Sequence, residues 1–244
     1  MIFVATIEQM SILFALIIIG YLLMKFKFVP TNSNMTLSKL ENYLFIPALI
    51  LSTFMTDFTV ENLSKTGQLL AFSFIVGMTA ILLGFAITRF TTKDKYIRNI
   101  TLYGLSFSNF GFMGYAIVKA LFPQIEFEYV IFTLVLWVLI YVWGVPSLLM
   151  SSEEKIGVKA RLKRLVNPMF ICMLVGIAIG LSGLKMPKFV STLVDSTADC
   201  MSPLAMLITG MVIAKADMKA VLKSKDVYIA TVLRLLVFPL LLIG

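Results

Sequence analysis

The densest group of residues able to handle a ligand lies in Gly104-Leu-Ser106-Phe-Ser108-Asn109-Phe-Gly111-Phe-Met-Gly114-Tyr115. Three glycines, two serines and an asparagine within eleven residues weaken a helix and free backbone groups that need partners. Set in apolar sequence, such a stretch reads as a discontinuous membrane helix, whose loosened amides and helix ends hold substrates and ions. Close packing through small residues is the competing reading, and it suits Gly176-x-x-x-Gly180 better. Pro47 and Pro203 each free a carbonyl and bend a helix, as the wall of a cavity requires. The expected substrate site is therefore Asn109, Ser106, Ser108, Gly111 and Gly114, framed by Pro47 and Pro203. A second group is ionisable. Asp195 and Asp199 lie four apart on one helix face, Asp199 four residues before Pro203. Glu41 and Asn42 lie six and five residues before Pro47. Ionisable groups inside a bilayer are costly, so Asp199, Glu41 and Asn42 are the expected ion-coupling site, for a proton or sodium. Solvation at a water interface is the plain alternative.

Other chemistry is not expected. The chain has no histidine, the commonest transition-metal ligand and the usual base near neutral pH. P-loop, H-E-x-x-H, G-x-S-x-G and G-x-G-x-x-G motifs are missing, which argues against an enzyme, a bound cofactor, a metal site or an ATP-driven pump. Cys172 and Cys200 sit in apolar sequence and read as small packing residues, not as a disulfide.

The elements that position these residues follow from composition. Of 244 residues, 59% are hydrophobic and 14% charged, far from a water-soluble domain. Long unbroken apolar runs exclude the alternation of a membrane β-barrel. Eight segments of spanning length emerge: Ile7–Met24, Met35–Met55, Gly67–Phe90, Asn99–Phe122, Phe127–Met150, Pro168–Leu184, Phe189–Ala214 and Val227–Gly244. The start has no basic region or cleavage site, so the first segment reads as a span and not a signal peptide.

The net charge of +8 is distributed by side. Lys25, Lys27 and Lys39 flank the first connection, Arg89, Lys93, Lys95 and Arg98 the third. Lys155, Lys159, Arg161, Lys163 and Arg164 fill the fifth, and Lys215, Lys219, Lys223 and Lys225 the seventh. The opposite side has Lys65, Lys119, Lys185 and Lys188, and Arg234 lies inside the last span. Sixteen against four places the amino terminus outside and these connections in the cytoplasm of a multi-pass cell-membrane protein. Arg234 is expected to snorkel or to pair with an acid. No basic stretch is interleaved with aromatics, so nucleic acid is not an expected partner.

Spans one and two also resemble spans six and seven. Each pair ends its first member in a proline (Pro30, Pro187) and carries a second proline 17 or 16 residues on (Pro47, Pro203). A five-span unit repeated after an odd number of crossings is inverted, the plan of many secondary transporters. The expected organisation is a first five-helix repeat over 1–150, a basic cytoplasmic connection over 151–165, and three helices of an inverted second repeat over 166–244. The fold class is thus all-α, polytopic, of about eight transmembrane helices, five-plus-five in type with the second repeat incomplete. A C-terminally truncated product is the accompanying expectation.

In their order along the chain, LENYLFIPALILSTF, SNFGFMGYAIVKALF, RLVNPMFICMLVGIAIG, SPLAMLITGMVIAK and RLLVFPLLL resemble the auxin efflux carrier family of membrane permeases. The resemblance covers essentially the whole chain. It implies two inverted five-span repeats, crossed and broken fourth and ninth helices, and transport of small organic anions such as auxin, malate or malonate by alternating access. Carried onto this chain, the fourth-span crossing falls near Asn109, Gly111 and Gly114. The family's Gly-x-Pro is here Gly114-Tyr115-Ala116, which implies a less sharply broken crossing. A sodium-coupled carrier of bile-acid-symporter type and a non-transporting truncated membrane protein are the alternatives. The expected partners are an organic anion, the lipid bilayer and a proton or sodium, with homo-oligomerisation left open.

Overall fold

The computed structural model describes residues 2–58, 63–91, 94–149, 158–163 and 165–243. Lys93, Lys155 and Arg164 of the charge count, with most of the 151–165 connection, lie outside them. The described residues form helices and no strand: α1 (Ile2–Lys25), α2 (Ser33–Leu40), α3 (Ile46–Asp57), α4 (Leu63–Thr91), α5 (Lys95–Ser106), α6 (Tyr115–Leu121) and α7 (Glu126–Leu139). They continue as α8 (Val158–Lys163), α9 (Pro168–Ser182), α10 (Lys188–Asp199), α11 (Met201–Ile213), α12 (Met218–Lys223), α13 (Lys225–Val232) and α14 (Phe238–Ile243). Wider π-helical turns occupy Glu41–Phe45, Phe110–Gly114, Ile140–Leu149 and Leu233–Val237.

The π turns have an identifiable cause. Pro47 sits just past the first and Pro146 inside the third, where a missing N–H breaks the regular ladder. Four stretches are long and apolar enough to cross a bilayer: Phe3–Lys25, Thr66–Phe90, Pro123–Leu149 and Lys188–Ile213. Pro168–Ser182 is apolar but shorter. The second expected span falls in a continuous helical run from Ser33 to Asp57 that carries Lys39, Glu41 and Asp57 and is less apolar than these four, and the fourth is broken between Ser106 and Phe110. Phe3, Ile7, Phe14 and Ile18 of α1, with Leu174 and Val175 of α9, leave large apolar side chains outside the bundle. That surface suits hydrocarbon and is unfit for water.

Two compact units result. The first comprises Met1–Thr66, Asn109–Val130 and Val166–Ala216, the second Gly67–Ser108, Ile131–Leu165 and Asp217–Gly244. Each draws on both expected copies.

In the first unit α1 packs chiefly on α11, and α3 on α9. Both seams bring backbones together. Gly20 lies against the backbone of Leu207, and Gly210 against Ile17 and Tyr21. Gly176 lies against Leu51 and Phe54, and Gly180 against Phe54 and Phe58. The small-residue motif of span six is thus a packing device. Gly20 and Gly176, Pro47 and Pro203, Leu51 and Leu207, and Thr53 and Thr209 are pairs separated by equal lengths of chain. Thr53 donates to the Leu49 carbonyl (3.0 Å) and Thr209 to that of Ala205 (2.8 Å), again matching positions. Lys215, at the end of span seven, donates to the Thr31 carbonyl and to Asn34 at the start of span two. Ser52, late in span two, donates to Asp195, early in span seven. The two matching spans therefore run antiparallel.

In the second unit Ala80, Leu105 and Phe238 form a core with Leu83, Ile87 and Leu233 around it. Tyr103, Phe107, Trp143 and Phe85 make a continuous row of ring contacts. Ser73 closes α4 onto α7 by donating to the Phe132 carbonyl (2.5 Å).

Candidate functional site

The fourth span breaks where glycine, serine and asparagine accumulate. α5 stops at Ser106, Phe107 is extended, and Asn109 (φ −78°, ψ 53°) starts the π turn Phe110–Gly114. Ser106 and Ser108 belong to the second unit, whereas Asn109, Gly111 and Gly114 belong to the first. The chain thus passes from one unit to the other at the Ser108–Asn109 peptide.

The backbone groups released by the break have partners. Tyr129 donates to the Phe110 carbonyl (2.8 Å) and Ser202 to the Phe112 carbonyl (2.8 Å), while the Gly114 amide returns to the Asn109 carbonyl (3.0 Å). Non-helical backbone at bilayer depth needs this kind of protein-supplied satisfaction. Gly114 is required by close approach, since a Cβ there would overlap the Tyr129 hydroxyl. The Asn109 side chain makes no capping bond and is exposed. It is free for a ligand. On the other side of the break, Ser106 is buried with an unpartnered hydroxyl and Ser108 is exposed.

Other expected site residues scatter within the first unit. Pro203 is exposed at the start of α11, one residue after Ser202, so span seven is joined to the π turn of span four. Met206 and Ala205 of α11 also share a core with Leu13 and Ala116. Pro47 is buried in α3. Asn42 is exposed and donates to the Ser38 carbonyl (2.6 Å).

The three acidic candidates differ sharply. Asp199 is exposed and ion-paired with Lys119 of α6, whose ammonium also lies 5.8 Å from the centre of the Tyr115 ring. Asp195 is engaged by Ser52. Glu41 is only 2% exposed, and neither carboxyl oxygen has a partner. Beyond the expected span, burial first and then the carboxylates of Glu126 and Glu128 push the Asp57 carboxyl above its ordinary pKa.

Among the described residues Arg234 makes no ion pair with an acid. It donates to the Leu105 carbonyl, where a cation offsets the negative end of α5. Beside it a groove of about 550 Å³ is lined by Thr101, Thr231, Ser224, Asp226, Arg234 and apolar neighbours, so it carries one acid and one base. Cys172 is half-buried and Cys200 exposed, both as free thiols, so the packing role fits Cys172 alone. Among the described residues no cluster of His, Cys, Asp and Glu could hold a metal.

Sequence reasoning missed Tyr129 and Ser202 as partners of the break. Tyr129 is one of eight tyrosines and carries no local signal, whereas Ser202 announces itself faintly as a hydroxyl beside a proline in an apolar span.

Apolar outward faces, spanning helices and a break whose carbonyls are satisfied from within define an all-α polytopic membrane protein. Residues 5–244 match the model of the family described as membrane transport protein, and the chain belongs to this auxin-efflux-carrier-like family. No curated protein matches it.

Proposed function

We propose that the chain is a secondary carrier of small organic anions, working by alternating access across the cell membrane with its amino terminus outside. The observation that carries this reading is the break in span four, which leaves the Asn109 side chain exposed and without a capping bond. Asn109 with Ser106 and Ser108 would hydrogen-bond a carboxylate, and Gly111 and Gly114 keep the backbone accessible. Pro47 and Pro203 shape the helices around it. The antiparallel run of spans two and seven, with matching prolines, threonines and glycine seams, supports an inverted repeat and hence a two-state mechanism.

The test is uptake of labelled malate, malonate and indole-3-acetate into lipid vesicles holding the purified chain. At least one should accumulate above empty vesicles, and Asn109→Ala should reduce its initial rate at least about tenfold, the loss of one charge-assisted hydrogen bond. Uptake unchanged by Asn109→Ala would remove span four from the site. Absence of uptake for all three anions would overturn the substrate class.

A further inference from the structure

Glu41 is the most poorly satisfied polar side chain described in the first unit. Its carboxyl is enclosed, 2% exposed, and neither oxygen accepts or donates a hydrogen bond. It stands at the first position of the π turn Glu41–Phe45, in a helix that otherwise runs from Ser33 to Asp57. π turns inside helices recur at functional positions because they can shift register locally.

The surroundings supply no counter-charge. α2, α3, α9, α10 and α11 pack on this turn. α11 has no ionisable residue, and α9 has only Cys172. α2 has Lys39, which is exposed, and the turn itself has Tyr43, also exposed. Asp57 lies at the far end of α3. On α10, Lys188 opens the helix, Asp195 is engaged by Ser52, and Asp199 is taken by Lys119. Ser52 is eleven residues beyond Glu41, about 16 Å along a helix, so Asp195 sits at another level, while Asp199, nearer the turn on the antiparallel α10, has its charge met by Lys119.

An ionised carboxylate held without a partner in a site of this kind is far costlier than the un-ionised acid. We infer that Glu41 is a proton-binding site: in this conformation it holds an O–H, and exposure of the π turn lets that bond break, releasing a proton to water and leaving the carboxylate. Reburial requires the reverse step. The cycle is a reversible acid dissociation and needs no other reactant. At the matching position of span seven stands Thr197, whose hydroxyl is satisfied by the Leu193 carbonyl at 2.7 Å. The proton site is therefore single, and it breaks the symmetry of the two copies. Its consequence for transport, coupling of anion movement to proton movement, rests on the carrier reading above; the protonation itself does not.

The test has two arms, both on the full chain in lipid vesicles. Infrared spectroscopy at neutral pH should show the C=O stretch of an un-ionised carboxylic acid, shifted in heavy water and absent from Glu41→Gln. Glu41→Asp, a second variant in case Glu41→Gln does not fold, should keep such a band at a new frequency. No acid band in the wild type, or a band that survives Glu41→Gln, overturns the inference, as does a carboxylate band that appears only with sodium. In the second arm, with any anion the vesicles accumulate, an inward proton gradient of one pH unit should raise accumulation about tenfold per coupled proton. Glu41→Gln should abolish that response while retaining exchange without a gradient. A response unchanged in Glu41→Gln overturns coupling through Glu41. If no anion is taken up, the infrared arm still decides whether Glu41 binds a proton, so the two readings fail separately.

Discussion

Spans two and seven are built on one plan and used differently. Both contain a proline, a threonine bonded back one turn at the same distance beyond it, and a helical irregularity just before it. In span two the irregularity is a π turn that encloses the Glu41 carboxyl without a partner. In span seven it is the single residue Cys200 between α10 and α11, and the acids beside it are exposed and engaged by Ser52 and Lys119. Matching positions of these two spans thus share their packing and differ in their polar groups.

The largest expected effect comes from testing whether the shared packing is equally tight in both places. A Cβ at Gly210 would fall on the backbone carbonyl of Ile17, and one at Gly20 on that of Leu207, with no flexible side-chain end to give way. At Gly176 the first obstacle is the Phe54 Cβ at 2.7 Å, with the Leu51 carbonyl oxygen at 3.3 Å. Gly210→Ala should cost about 3 kcal/mol or more of stability in detergent or bicelles, as overpacking against fixed backbone does. Gly176→Ala should cost about 1–2 kcal/mol on the same scale. Equal losses would mean that the two seams are alike in energy as well as in position.

The seams and the break show what a reader of residues can and cannot see. Gly176-x-x-x-Gly180 announces close approach because only small residues permit it, and the glycine-rich stretch around Asn109 announces a broken helix because so many weak helix formers have no other use there. Partners are a different matter. Glu41 and Asp199 stand at comparable distances before matching prolines, so their spacing treats them alike. What separates them is a lysine 80 residues away and the enclosure of the π turn by α9, α10 and α11. Tyr129 and Ser202 reach the broken backbone from 19 and 90 residues away, and Arg234 finds Leu105 across 129. Such meetings depend on tertiary packing, which local pattern does not encode. The break in the fourth expected span was readable from its glycines, serines and asparagine, whereas the polar start of the second, with Lys39 and Glu41, hides its helix from apolar length alone.

A middle-sized effect would sharpen the claim that span seven, and not span two, supports the break. Ser202 is 7% exposed, and its hydroxyl satisfies the Phe112 carbonyl; the matching residue of span two is Ile46, apolar and buried. Ser202→Ala removes that bond and leaves the carbonyl with the Tyr115 amide alone; it should cost about 1 kcal/mol, read from thermal unfolding. The amides of Phe110–Gly114 should also exchange hydrogen faster. Ile46→Val, which alters packing and no hydrogen bond, should leave their exchange unchanged even if it costs about 1 kcal/mol. Faster exchange in both variants would remove the distinction between the two spans.

The smallest effect concerns the satisfied acid. The Lys119–Asp199 pair joins α6 to α10, but the side chains are 41% and 58% exposed, and water screens their attraction. A double-mutant cycle of Lys119→Ala and Asp199→Ala should give a coupling energy below about 1 kcal/mol, shrinking as salt is raised. Asp199→Asn should likewise leave the pH response of transport intact, since this exposed carboxylate already has a lysine partner. A coupling energy above about 3 kcal/mol would place this pair in a dry interior, where loss of one partner strands the other charge. The contrast with Glu41 would then fail from the Asp199 side, because both copies would carry a buried acid whose charge state matters to the fold.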